Sequence, residues 1–118
     1  MFLRNAWYVA AVDDEVTRTP LSRKIMNEDI VLWRTSDGSA AAMEDRCCHR
    51  HLPLSMGRVI GDNIQCGYHG FLFNARGKVV EIPGQDHIPE KAFVRHYPVV
   101  ERWKWVWVWM GEPELADP

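Results

Sequence analysis

At 118 residues the chain has room for one domain with a single modest core, so a second full-sized domain within it is excluded. A composition of 47% apolar and 25% charged residues is that of a folded, soluble protein, neither disordered nor collagen-like. Fourteen Lys and Arg against sixteen Asp and Glu give a formal charge of −2, without the positive surplus that binding to nucleic-acid phosphates demands.

From the N-terminus, Arg4 and Asn5 interrupt the first apolar residues before a signal-peptide core can form, so no secretory leader is expected. A strand is predicted over 7–10, followed by strands over 30–34 and 40–43. Between the last two, Ser36-Asp37-Gly38 reads as a hairpin turn, because glycine takes positive φ without steric cost. Residues 46–61 read as a long loop, and loops beyond about 12 residues without structure of their own usually carry function. Asn74-Ala75-Arg76-Gly77 is a second turn leading into a strand over 78–82, and Pro83, Gly84 and Pro89 make 82–90 a second loop.

The last strand is predicted over 105–109, where tryptophans occupy one face at period two and valines the other. That pattern predicts a strand buried on both faces, with the tryptophan row in the core. The apolar run 105–110 falls far short of the roughly 20 residues of a membrane-spanning helix, so no insertion is expected. The acidic, proline-bearing residues 111–118 read as the start of a linker. Helical periodicity is nearly absent, and the expected class is all-β with antiparallel pairing.

The three cysteines, Cys47, Cys48 and Cys66, lie close together, and three of the five histidines, His49, His51 and His69, share their segment. An odd count with one adjacent pair is a poor disulfide framework, which favours a reducing, cytoplasmic compartment. As spacing, the cluster is Cys47-x-His49, sixteen residues, then Cys66-x-x-His69. Residues i and i+2 of an extended segment point to one side, so Cys47 and His49 can face a common centre while Cys48 faces away. Residues i and i+3 converge in a tight turn, which Gly67 and Gly70 permit between Cys66 and His69. Two centres suit this donor set, a tetrahedral zinc or a two-iron cluster. Zinc sites usually pair cysteine with cysteine and histidine with histidine, so one thiolate and one imidazole on each segment disfavours zinc and suits a [2Fe–2S] cluster.

Cys47-Cys48-His49-Arg50 and Cys66-Gly67-Tyr68-His69-Gly70, with Pro53-Leu54-Ser55-x-Gly57 after the first half, resemble the Rieske family. The opening residues 1–11, and the stretch from Tyr97-Pro98-Val99-Val100 to Gly111-Glu112-Pro113, resemble the oxygenase components of vanillate and dicamba O-demethylases. The resemblance implies a single Rieske domain over 1–118, an antiparallel β-sandwich whose cluster-binding part spans 46–72 with two loops at one tip. It implies that Cys47 and Cys66 bind the inner iron of a [2Fe–2S] cluster and His49 and His69 the outer, more exposed iron. Electron transfer from a reductase to a mononuclear Fe(II) on a catalytic domain absent from this chain is the implied role, in a homotrimer where that domain belongs to a neighbouring subunit. Replacing two thiolates by neutral imidazoles removes negative charge and raises the potential, and the imidazole edges imply a pH-dependent potential. A stand-alone Rieske-type ferredoxin is the alternative.

Related oxygenases commonly carry Pro where Cys48 and Gly67 stand and Trp where Phe71 stands. Respiratory members bridge their loops with a disulfide at positions corresponding to Leu52 and Tyr68, so the residues here point to the oxygenase or ferredoxin branch. Cys48 is expected to be a packed thiol, and His51 a loop residue bonded to backbone or solvent. His87 and His96 are assigned no role.

Overall fold

The computed structural model describes residues 5–47, 53–67, 70–84 and 87–116. Among these, the regular elements are ten strands and three single turns of 3₁₀ helix: β1 (Ala6–Val12), β2 (Leu21–Ile25), β3 (Glu28–Arg34), β4 (Ala40–Glu44), β5 (Arg58–Ile60), β6 (Asn63–Gln65), β7 (Leu72–Phe73), β8 (Val79–Glu81), β9 (Val99–Arg102) and β10 (Trp105–Met110). They form three sheets, β1-β10-β9, β2-β3-β4 and β5-β6-β7-β8, with every adjacent pair antiparallel. The all-β, antiparallel expectation is borne out. No helix among the described residues is long and apolar enough to cross a membrane.

The β2-β3-β4 sheet is the middle layer, and its sequence shows why. Ile30, Val31, Leu32 and Trp33 form a continuous apolar run, the signature of a strand buried on both faces, and all four are fully buried. Ile30 and Leu32 pack with Ala11, Val106, Val108 and Met110 of the β1-β10-β9 sheet. Val31 and Trp33 point the opposite way, into a second core with Leu54, Ile64, Phe73 and Val79. Period-two alternation along one strand thus supplies two cores. The second core holds Cys47 and Cys66.

Two hairpins turn through two residues without glycine. Met26 and Asn27 (φ 54° and 62°) join β2 to β3, and Trp103 and Lys104 (φ 55° and 67°) join β9 to β10. Positive φ at both central positions is the turn whose twist matches the flanking strands.

The last strand begins at Trp105 as predicted, with Trp103 in the β9–β10 turn before it. Two expectations require correction. The tryptophan row is not core: Val106 and Val108 are fully buried, whereas Trp103 is 74% and Trp105 43% exposed, Trp107 is half-buried, and only Trp109 is buried. The β1-β10-β9 sheet packs on the middle sheet through Val106, Val108 and Met110, and the smaller valines fit that close-packed seam. Finally, the stretch 46–61 is not all loop, since it contains β5, which pairs with β6 just beyond it.

Candidate metal centre

Cys47 follows β4 by three residues, and Cys66 directly follows β6. Separated by nineteen positions in sequence, they meet in one apolar cluster, where Cys47 is 1% and Cys66 3% exposed. Leu54, Ile64 and Phe73 share that cluster, so the two sulfurs lie in a dry, packed region.

The second half closes on itself as its glycines allow. The Gly70 N–H donates to the Cys66 carbonyl at 3.2 Å, and the Cys66 N–H donates to the Phe71 carbonyl at 2.8 Å. Gly70 takes φ +74° to close this turn, as expected from Cys66-x-x-His69-Gly70. His49 and His69 lie outside the described residues, as do Cys48, Arg50, His51, Leu52 and Tyr68. His87 and His96 are exposed.

Two glycines let the halves approach backbone to backbone. A Cβ on Gly57 would fall 1.8 Å from the Gln65 carbonyl oxygen, an impossible contact, so only glycine fits there. A Cβ on Gly67 would lie 3.3 Å from the Met56 carbonyl oxygen, tight yet attainable. A side chain at position 67 would therefore require the Met56 carbonyl to shift by a few tenths of an ångström. Met56 itself is 78% exposed at this junction.

Sequence reasoning missed Asp45, the one charged residue buried among those described, at 7% exposure. Its Oδ1 accepts the Ser55 N–H and its Oδ2 the Ser55 hydroxyl, both at 2.6 Å. An acid directly before Arg46 and the first cysteine reads as a solvated loop residue, and the available signal was the serine in Pro53-Leu54-Ser55-x-Gly57. Nearby, the Tyr97 hydroxyl donates to Glu28 Oε1 at 2.7 Å, and burial, then this bond, push the phenol well above its usual range.

Chemically, two buried soft donors in an apolar enclosure suit a thiophilic metal, and an imidazole follows each at the i+2 or i+3 position of its own segment. The residues present thus fit a cluster with one sulfur-ligated, enclosed iron and one histidine-ligated iron.

Residues 6–98 match the family model described as the Rieske [2Fe-2S] domain. Over its whole length the chain is 52% identical to a putative toluene-4-sulfonate monooxygenase system iron-sulfur subunit of Comamonas testosteroni, of which it covers 34%. It is 47% identical, again over its whole length, to the vanillate O-demethylase oxygenase subunit of a Pseudomonas species (strain HR199 / DSM 7063), of which it covers 33%. Among solved structures, dicamba monooxygenase bound to dicamba superposes with a TM-score of 0.95 at 45% identity, over 99% of this chain and 35% of that one. The chain spans about a third of the length of the curated relatives it matches. The chain belongs to the Rieske [2Fe-2S] domain family.

Proposed function

We propose that Cys47 and Cys66 hold the inner iron of a [2Fe–2S] cluster, that His49 and His69 hold the outer iron, and that the chain relays single electrons within an aromatic-ring oxygenase component. The observation that carries this reading is the convergence of Cys47 and Cys66 in one buried core, each with a histidine at family spacing. Bound there, the cluster supplies a one-electron store at a potential raised by its two neutral ligands. The chain's residues enclose the two cysteines and exclude water from the inner side.

The wider reading follows from relatives about three times as long as this chain. Electrons would arrive from a reductase and pass to a mononuclear iron in a catalytic region outside residues 1–118, with 111–118 as the start of the connection and 46–72 as the cluster-binding part. That iron would sit on a neighbouring subunit of a homotrimer in the cytoplasm. Aromatic acids bearing methyl or methoxy groups are the substrate class, in keeping with the toluene-4-sulfonate and vanillate in the relatives' names. The stand-alone carrier gains no support from relatives of that length.

Electron paramagnetic resonance of the dithionite-reduced protein tests the cluster assignment. A low average g value with equal iron and acid-labile sulfide is the expected result. A colourless protein holding zinc, or the spectrum of an all-cysteine cluster, overturns it.

A further inference from the structure

Asp45 and Ser55 bracket the segment that carries Cys47 and His49, and the contacts between them go beyond packing. Asp45 is fixed to the middle sheet, its N–H donating to the Asp29 carbonyl at 2.9 Å. The preceding residue is fixed as well: the Glu44 N–H donates to the Arg95 carbonyl at 2.8 Å, and Glu44 Oε1 accepts the Arg95 N–H at 2.6 Å. From that anchored base the Asp45 carboxylate takes two short hydrogen bonds from Ser55, one from its backbone and one from its hydroxyl. Both oxygens act as acceptors, the pattern of a charged carboxylate, and charge-assisted bonds of this kind are the strong ones.

The restraint passes on to the second half. Ser55 lies in the 3₁₀ turn Leu54–Met56, whose following Gly57 packs against the carbonyl of Gln65, one residue before Cys66. Asp45 thus sits at the start of a contact series that reaches both cysteines.

Its charge matters separately. Two residues of chain span at most about 7 Å, which keeps the Asp45 backbone within that distance of Cys47. The cleft it shares holds Glu28, Asp29, Glu44, Arg46 and Tyr97. Its other acids each face a cation, Glu44 with Arg46 at 3.0 Å, Glu28 with Arg95 at 3.8 Å and Asp29 with Lys24 at 3.9 Å, whereas the described bonds of the Asp45 carboxylate come from Ser55. A buried negative charge in such surroundings opposes an incoming electron far more than an exposed one would.

Resting on the cluster assignment above, we propose that Asp45 is a positioning residue that, through Ser55, clasps the cluster-bearing segment and by its buried charge lowers the cluster's reduction potential. Cluster-loaded wild type, Asp45→Asn, Asp45→Glu and Ser55→Ala are compared for iron loss to a chelator and for potential by titration followed by electron paramagnetic resonance. Asp45→Asn is expected to raise the potential and Asp45→Glu to restore the wild-type value. Ser55→Ala keeps the charge and one bond, so it is expected to lose iron about tenfold faster at an unchanged potential. If Asp45→Asn cannot be loaded, Asp45→Ser, which keeps a polar group and lacks the charge, reads the potential in its place and is expected above wild type, a wild-type potential overturning the charge effect. Ser55→Ala and Asp45→Glu then read the clasp, both expected at the wild-type potential with faster iron loss. An Asp45→Asn protein that keeps its cluster at the wild-type potential overturns the proposal, as does a Ser55→Ala protein that holds iron as long as wild type. Failure of the cluster assignment is distinguishable, because wild type itself would then lack the low-g signal.

Discussion

Arg34, at the end of β3, joins segments distant in sequence. Its Nε donates to the Val16 carbonyl at 2.9 Å, and its Nη2 and Nη1 donate to the Asp13 and Gly38 carbonyls, each at 2.8 Å. The same two terminal nitrogens fork onto Glu101 of β9, at 2.7 and 2.9 Å, tying the middle sheet to the β1-β10-β9 sheet. The guanidinium hydrogen bonds hold the Glu101 carboxyl below its ordinary value of 4.5, and the same bonds raise Arg34. A carboxyl whose folded value is depressed stabilises the fold above its unfolded value, and that stability is lost as pH falls through the folded value. Glu101→Gln should therefore cost about 1 kcal/mol at neutral pH, at the low end for a bidentate pair because Glu101 is partly open to solvent. Urea unfolding over a pH series checks it: the gap between variant and parent should close as pH drops below 4.5. A gap independent of pH would refute the ion-pair account.

At the level of the element, the strand–turn–strand pattern around the cluster was legible because it was written in residues with a single use. Ser36-Asp37-Gly38 and Asn74-Ala75-Arg76-Gly77 announced their turns, and Cys66-x-x-His69-Gly70 announced a closure that Gly70 makes with φ +74°. The turns Met26-Asn27 and Trp103-Lys104 were not legible, because their positive φ is imposed by strand pairing on residues that do not ask for it. β5 escaped notice because three residues are too few to show a period, and its pairing with β6 is a tertiary fact. The first-half register rests on the argument that alternate residues share a side, with Cys47 turned into the core. Accordingly, Cys66→Ser should abolish the visible absorption of the reconstituted protein, while Cys48→Ser and His51→Ala should retain it. Bleaching of either of the latter two would show that the ligand register is displaced.

Across the whole molecule, the tryptophan strand shows what a period-two pattern leaves open. Alternation told which residues share a face of β10, but not which face meets the middle sheet, and both faces are apolar. The valines take the inner face, and the indoles form the outer one, where Trp7 meets Trp109 edge to face at 5.4 Å and Trp103 meets Trp107 at 6.5 Å. The middle sheet therefore bears both cores: Leu32 belongs to the core beneath β10, and Met43, on the neighbouring strand, to the core that encloses the cysteines. Because one strand pair supplies side chains to both, neither core can open without disturbing the backbone of the other, and the two should unfold as one unit. Leu32→Ala and Met43→Ala, each removing a fully buried side chain, should each cost about 3 kcal/mol. Native-state hydrogen exchange reads whether that loss is shared. With Leu32→Ala, amides of β6, on the far side of the middle sheet, should exchange faster by about the same factor, roughly a hundredfold, as those of β10. Acceleration confined to β1, β9 and β10 would mean that the outer sheet opens alone, and that the cysteine-bearing core keeps its stability independently of it.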